Sequence, residues 1–135
     1  MAFGYPMDHG WRVSDLLIEM KYIVDAKGRA LGRVASEAAV ILRGKRTPRF
    51  ERHTVPEETL VIVNARHIKL TGNKLKGRFR ERYSGYPGGL KRISYQTTFN
   101  KDPRELLRQA ISGMIPRNRL KKHIMKNLTI YAEQK

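Results

Sequence analysis

The sequence predicts an α/β domain built on a parallel sheet, and three stretches carry that prediction. Thr59-Leu60-Val61-Ile62-Val63-Asn64 is an unbroken apolar, largely β-branched run, the pattern of a parallel strand covered on both faces. Leu31, Val34, Ala35, Ala38, Ile41 and Leu42 recur at spacings of three and four, as the buried face of a helix does. Asp102 precedes Pro103 and stands three residues before Glu105, which marks the start of a second helix. Strands that alternate with helices imply right-handed crossovers between parallel strands.

Residues 1–20 open with Gly4, Pro6 and Gly10 and read as an irregular extension, in which Ser14 offers a cap for a short helical turn through Leu16, Leu17 and Met20. Tyr22 to Ala26 form a short apolar strand that ends in the tight turn Lys27-Gly28-Arg29, ahead of the helix that begins near Leu31. Gly44 stops that helix, and Arg43, Lys45, Arg46 and Arg49 surround its C-terminal end. Thr47 to Glu58 contain Pro48 and Pro56 and show no periodicity, so they form a loop. After the Thr59 strand, Ala65 to Lys69 make one helical turn that Thr71-Gly72-Asn73 break. The helix at Asp102 buries Leu106, Leu107, Ala110, Ile111 and Met114 and ends at Ile115-Pro116. A second, basic helix spans Arg117 to Met125, and Asn127 to Ala132 form the last strand. The chain has 135 residues, enough for one core, so residues 21–135 are expected to form a single domain.

Charge narrows the function. The formal net charge is +16, and because residues 1–20 hold one arginine against three acids, the remaining 115 residues carry +18. A domain so charged repels itself and calls for a polyanion, which nucleic acid supplies best. A membrane is the poorer fit: no apolar run approaches the roughly 20 residues of a spanning helix, and no helix sets a basic face against a broad aromatic one. The chain lacks cysteine, which excludes disulfides and thiolate metal sites, and its acidic N-terminus resembles neither a secretory signal nor an organellar presequence. An intracellular protein is expected.

The densest cationic stretch is Leu70 to Arg92. Lys74, Lys76, Arg78, Arg80 and Arg82 fall on every second residue, so an extended backbone projects all of them from one face at intervals of roughly 6–7 Å, near the phosphate spacing of a nucleic-acid strand. The turn Tyr83-Ser84-Gly85-Tyr86-Pro87-Gly88-Gly89 follows, with two tyrosines able to stack and glycines that let the main chain lie against a ribose or phosphate. A solvated edge strand and an ordinary turn would explain the stretch in a chain of average composition, but the overall charge favours an RNA interface.

Tests for catalytic chemistry are mostly negative. Lys27-Gly28-Arg29-Ala30-Leu31-Gly32-Arg33 follows a strand and opens a helix, yet it has neither the three-glycine dinucleotide fingerprint nor the Gly-Lys-Ser/Thr of a P-loop. His9, His53, His67 and His123 share no ligand spacing. Asp25 ends a strand, where α/β enzymes do place acids, but no partner base is identifiable and a turn or capping role explains it. No catalytic residue, metal ligand, cofactor or small-molecule substrate is expected. An RNA-modifying or nucleotide-using enzyme rests only on the fold class and Asp25. A free regulator using the Arg117–Lys122 helix in a groove would want dimer symmetry.

Several blocks carry a family resemblance: Leu42-Arg43-Gly44-Lys45, Val61-Ile62-Val63-Asn64-Ala65, Leu70-Thr71-Gly72-Asn73-Lys74, Tyr83-Ser84-Gly85-Tyr86-Pro87-Gly88-Gly89-Leu90 and Gly113-Met114-Ile115-Pro116-Arg117-Asn118-Arg119-Leu120. With Tyr22-Ile23-Val24-Asp25-Ala26, Leu31-Gly32-Arg33 and Leu128-Thr129-Ile130-Tyr131-Ala132 they run in one order over Tyr22 to Ala132. This chain resembles large-subunit ribosomal protein number 13 of the bacterial and organellar type. Tyr83 stands where that family usually has histidine, so no contact specific to histidine is carried over. The resemblance implies a three-layer α/β/α domain with a four-stranded, mainly parallel sheet, an irregular basic extension and a glycine-rich loop. It also implies binding to large-subunit ribosomal RNA beside neighbouring ribosomal proteins, and a part in subunit assembly in the cytoplasm or an organelle. The residues expected to meet RNA are Arg43, Lys45, Arg46, Arg49, Lys74, Lys76, Arg78, Arg80, Arg82, Tyr83, Ser84, Gly85, Tyr86, Gly88, Gly89, Lys91, Arg92, Arg117, Asn118, Arg119, Lys121 and Lys122.

Overall fold

The β-branched run becomes the middle of the sheet. In the computed structural model, which describes residues 21–48 and 50–133, β1 (Lys21–Asp25), β2 (Thr59–Val63) and β5 (Leu128–Ile130) pair in parallel in the order β1-β2-β5. The turn expected around Ser14 and the position of Arg49 lie outside the described residues. Leu60 and Ile62 of β2 are fully buried, each contributing about 1.5–3 kcal/mol relative to exposure.

Helix α1 (Leu31–Leu42) packs on β1 and β2 with the side expected from its periodicity: Leu31, Val34, Ala35, Ala38, Ile41 and Leu42 are all buried. It ends in paired backbone bonds, the Gly44 N–H to the Ile41 carbonyl at 2.7 Å and the Lys45 N–H to the Val40 carbonyl at 3.2 Å. This is a Schellman closure, which satisfies carbonyls that the helix end leaves free. Helix α4 (Pro103–Met114) packs against α1 and starts as expected, with Asp102 Oδ1 accepting the Arg104 backbone N–H at 3.0 Å. Leu106, Leu107 and Ile111 are buried beneath it.

Several expectations need correction. The parallel sheet has three strands among the described residues rather than four. Residues 79–94 supply the remaining strands, β3 (Phe79–Tyr83) and β4 (Leu90–Ser94), and these pair antiparallel with each other alone. A strand inside the parallel sheet needs two apolar faces, and neither of these has them. Lys74–Gly77 form a helical turn, α2, instead of the start of an extended strand. Helix α3 (Tyr95–Lys101) follows β4, with Ser94 Oγ accepting the Thr97 N–H at 3.1 Å as its cap, and Tyr95 packs partly buried against the core. The second basic helix, α5, covers only Lys121–Lys126, because Arg117 to Leu120 form turns closed by Asn118 Oδ1 on the Lys121 N–H at 3.1 Å. The last strand is shorter than expected, and Met114, expected in the core, is 41 % exposed because it lies at the end of α4, past the cluster of Leu106, Leu107 and Ile111.

Candidate nucleic-acid interface

The β3–β4 hairpin has two chemically different faces. In its register Arg80 stands opposite Ile93 and Arg82 opposite Lys91, while Phe79, Glu81 and Tyr83 stand opposite Ser94, Arg92 and Leu90. Directly paired residues share a face and successive residues alternate, so one face presents Arg80, Arg82 and Lys91 beside the exposed Ile93. The other presents Phe79, Tyr83 and Leu90 around an ion pair of Arg92 Nε and Glu81 Oε1 at 2.8 Å, and is electrically neutral. The expected run of five cations on one face is therefore not formed. Lys74 and Lys76 belong to the helical turn, Arg78 caps it and lies 5.9 Å from the centre of the Tyr95 ring, and Tyr83 points to the face opposite Arg80 and Arg82.

The turn joining the strands is built from Tyr86-Pro87-Gly88-Gly89, closed by the Gly89 N–H on the Tyr86 carbonyl at 2.9 Å. Proline second and glycine third, with Gly88 at φ +73°, is the type II pattern. Gly89 has a different reason to be glycine. A Cβ there would collide with Ser84 Oγ and lie 2.9 Å from the Tyr86 carbonyl oxygen. Both glycines are required by the turn itself. Tyr83 and Tyr86 remain 64 % and 77 % exposed, so their rings are free to stack on a partner.

A second basic group lies at the edge of the sheet where the three parallel strands begin. Helix α1 runs back to that edge and delivers Arg43, Lys45 and Arg46 there, with the Arg46 guanidinium 5.9 Å from the Tyr22 ring centre and 3.5 Å from Glu37. Cations at a helix C-terminus also meet the negative end of its dipole. Asn127, just ahead of β5, donates its side-chain amide to the Pro56 carbonyl at 2.8 Å, and Pro56 packs over Gly44. The end of α5 thereby abuts the same edge.

The third group forms an open groove of ≈ 1050 Å³ lined by Arg108, Arg117, Asn118, Arg119, Lys121, Lys122, Met125, Lys126 and Leu128. Arg117, Asn118, Arg119, Lys121 and Lys122 were expected from sequence. Arg108, Met125, Lys126 and Leu128 were not. The available signal for Arg108 was its spacing of four from Arg104, which puts both on one helical face.

Helix α4 ties these groups together. Glu105 takes Arg80 from the hairpin at 2.8 Å, Arg108 one turn on lines the groove, and α4 packs along α1. Of the expected contact cations, Arg46, Arg80 and Arg92 have carboxylate partners. Arg43, Lys45, Lys74, Lys76, Arg82, Lys91, Arg117, Arg119, Lys121 and Lys122 have none within ion-pair distance among the described residues.

Asp25 is committed to the opposite edge of the sheet. It accepts the Lys27 backbone N–H and the Asn64 side-chain amide, each at 2.9 Å, and these two donors, Lys27 first, hold its carboxyl below the ordinary carboxylate range. A carboxylate so held is a weak base, suited to bracing the ends of β1 and β2. Among the described residues no three His, Asp or Glu are grouped to hold a metal, and no helix is long and apolar enough to cross a membrane.

Comparison with known proteins identifies relatives of the whole α/β domain. The family profile described as Ribosomal protein L13 matches residues 19–135. A protein of Clostridioides difficile named large ribosomal subunit protein uL13 is 44 % identical over 111 residues, covering 82 % of this chain and 78 % of its own length. Proteins of the same name from Moorella thermoacetica and Geobacter sulfurreducens are 44 % identical over 110 residues and 42 % over 111, each covering 82 % of this chain and 76 % and 78 % of their own length.

Proposed function

The chain belongs to the ribosomal protein L13 family, whose members are structural proteins of the large ribosomal subunit and not enzymes, and from that premise we propose that it binds large-subunit, 23S-type ribosomal RNA. The contacts are the basic and glycine-rich segments, and binding supports assembly of the subunit in the cytoplasm. Residues 21–135 act as the RNA-binding domain and residues 1–20 as an extension to it. Neighbouring large-subunit proteins are the other partners.

One observation supports this reading above the rest. Around α4 the fold gathers cations from the hairpin, from the groove and from the end of α1 while supplying carboxylates to few of them. Such a surface repels itself until counter-charges screen it, and phosphate neutralisation dominates affinity for nucleic acid. Convergent RNA helices present phosphates on several sides at once, which suits cations spread over several elements better than one strand would.

Sedimentation of cell lysate tests the proposal. Quantitative co-migration with large subunits, reversed by high salt, is the expected result. A free pool that outweighs the bound fraction at low salt would overturn it.

A further inference from the structure

The groove beneath Arg108 and Arg117 sets an apolar floor inside a ring of cations. Met125, half-buried, and Leu128, buried, line it, and the cations Arg108, Arg117, Arg119, Lys121, Lys122 and Lys126 surround them. No carboxylate is among its lining residues, and none of these six cations forms an ion pair within 4 Å among the described residues, although Arg108 feels the charge of Asp102. Resting on the RNA-binding reading above, we infer that this groove takes an unstacked nucleotide of single-stranded or looped RNA, its base against Met125, which Leu128 backs from the core, and its flanking phosphates on the surrounding cations.

The shape of the two kinds of RNA decides between them. A duplex keeps its bases stacked inside and offers a convex surface of phosphate and ribose, so it would touch the rim and leave the apolar interior against water. A splayed strand offers both chemistries together, a flat apolar face on each base and an anion on either side of it. The groove is open to solvent, and its volume of ≈ 1050 Å³ exceeds that of a base and its sugar. An acidic protein segment would satisfy the cations equally, but its short carboxylates have no flat apolar face for Met125.

The test uses the full chain and a short RNA with a central 2-aminopurine, whose fluorescence rises when the base leaves its stack. The RNA is presented single-stranded and as a blunt duplex at one salt concentration. The single strand is expected to bind about tenfold more tightly and to brighten on binding. Met125→Gln is expected to weaken single-strand binding about fivefold and to abolish the brightening, while leaving the salt dependence of affinity as it was. Met125→Leu, which keeps the apolar surface and safeguards against a folding defect, is expected to retain both. Equal binding of duplex and single strand, or unchanged brightening in Met125→Gln, overturns the groove assignment while RNA binding stands. Displacement of the RNA by polyglutamate at concentrations where polyuridylate fails would assign the groove to an acidic protein. Absence of salt-sensitive binding to either RNA would defeat the RNA-binding reading, and the groove assignment with it.

Discussion

Arg80 on β3 and Glu105 on α4 meet at 2.8 Å, and among the described residues theirs is the only ion pair that joins the hairpin to another element. Both side chains are 43 % exposed, so the pair is worth less than about 1 kcal/mol. Its effect is positional. Glu105→Gln is expected to leave the melting temperature nearly unchanged, to speed amide exchange across residues 79–94, and to keep RNA affinity equal or slightly higher because Arg80 is released to phosphate. A loss of affinity would mean that the RNA requires Arg80 where Glu105 holds it.

RNA binding should depend steeply on salt. If about six phosphates are neutralised by the unpaired cations, log K falls against log salt with a slope of about −4 to −5. Titrations across a range of salt concentrations measure it, and a slope near zero would remove phosphate neutralisation as the source of affinity.

Gly88→Ala and Gly89→Ala are both expected to lower the stability of the free hairpin, by separate causes. Gly88→Ala places a side chain at φ +73°, costing about 1 kcal/mol. Gly89→Ala drives a methyl group into Ser84 Oγ and the Tyr86 carbonyl. Adding Ser84→Gly should relieve part of the second defect and none of the first, as read by amide exchange or thermal melting of the double variants. Equal behaviour of the two double variants would show that the steric account of Gly89 is wrong.

Asp102 should make stability depend on acid. The Arg104 guanidinium holds its carboxyl below the ordinary carboxylate value, with the Arg104 backbone N–H adding to the effect. The folded state therefore favours the ionised form. The contribution is complete above the carboxylate range of the unfolded chain and is lost as pH falls through the lower folded value. Asp102→Ala should cost about 1 kcal/mol at neutral pH and progressively less in acid. Asp102→Asn, which caps without a charge, should recover part of the loss at every pH. Melting curves of the three proteins against pH check this.

Much of the scaffold was legible because its signals are local. The spacing of Leu31, Val34, Ala38 and Ile41 specifies a helix, and the Asp102-Pro103 pair specifies where another begins. The basic stretch was harder, because the residues between its cations, Leu75, Gly77, Phe79 and Glu81, make no continuous apolar face, and without one a period of two in charge does not specify a strand. Lys74-Leu75-Lys76-Gly77 satisfies a helical turn as well as an extended one. The groove was only half legible, since Arg108, Met125 and Leu128 come from three elements and meet only through packing around α4 and α5. Tyr83 looked like a neighbour of the arginines in sequence, and the pleat of the strand turned it to the other side.

The exposure of the hairpin bears on how long the protein survives without its RNA. Every residue of β3, and every residue of β4 but Ser94, is exposed, and a two-stranded ribbon covered on neither face is marginal in water. Limited proteolysis of the free chain is expected to cut first between residues 79 and 94, and the same sites to close when the RNA is bound. First cleavage elsewhere would contradict this. Newly made copies that find no RNA would then be degraded through this ribbon while incorporated copies persist, so that the number of molecules in the cell follows the number of subunits being built.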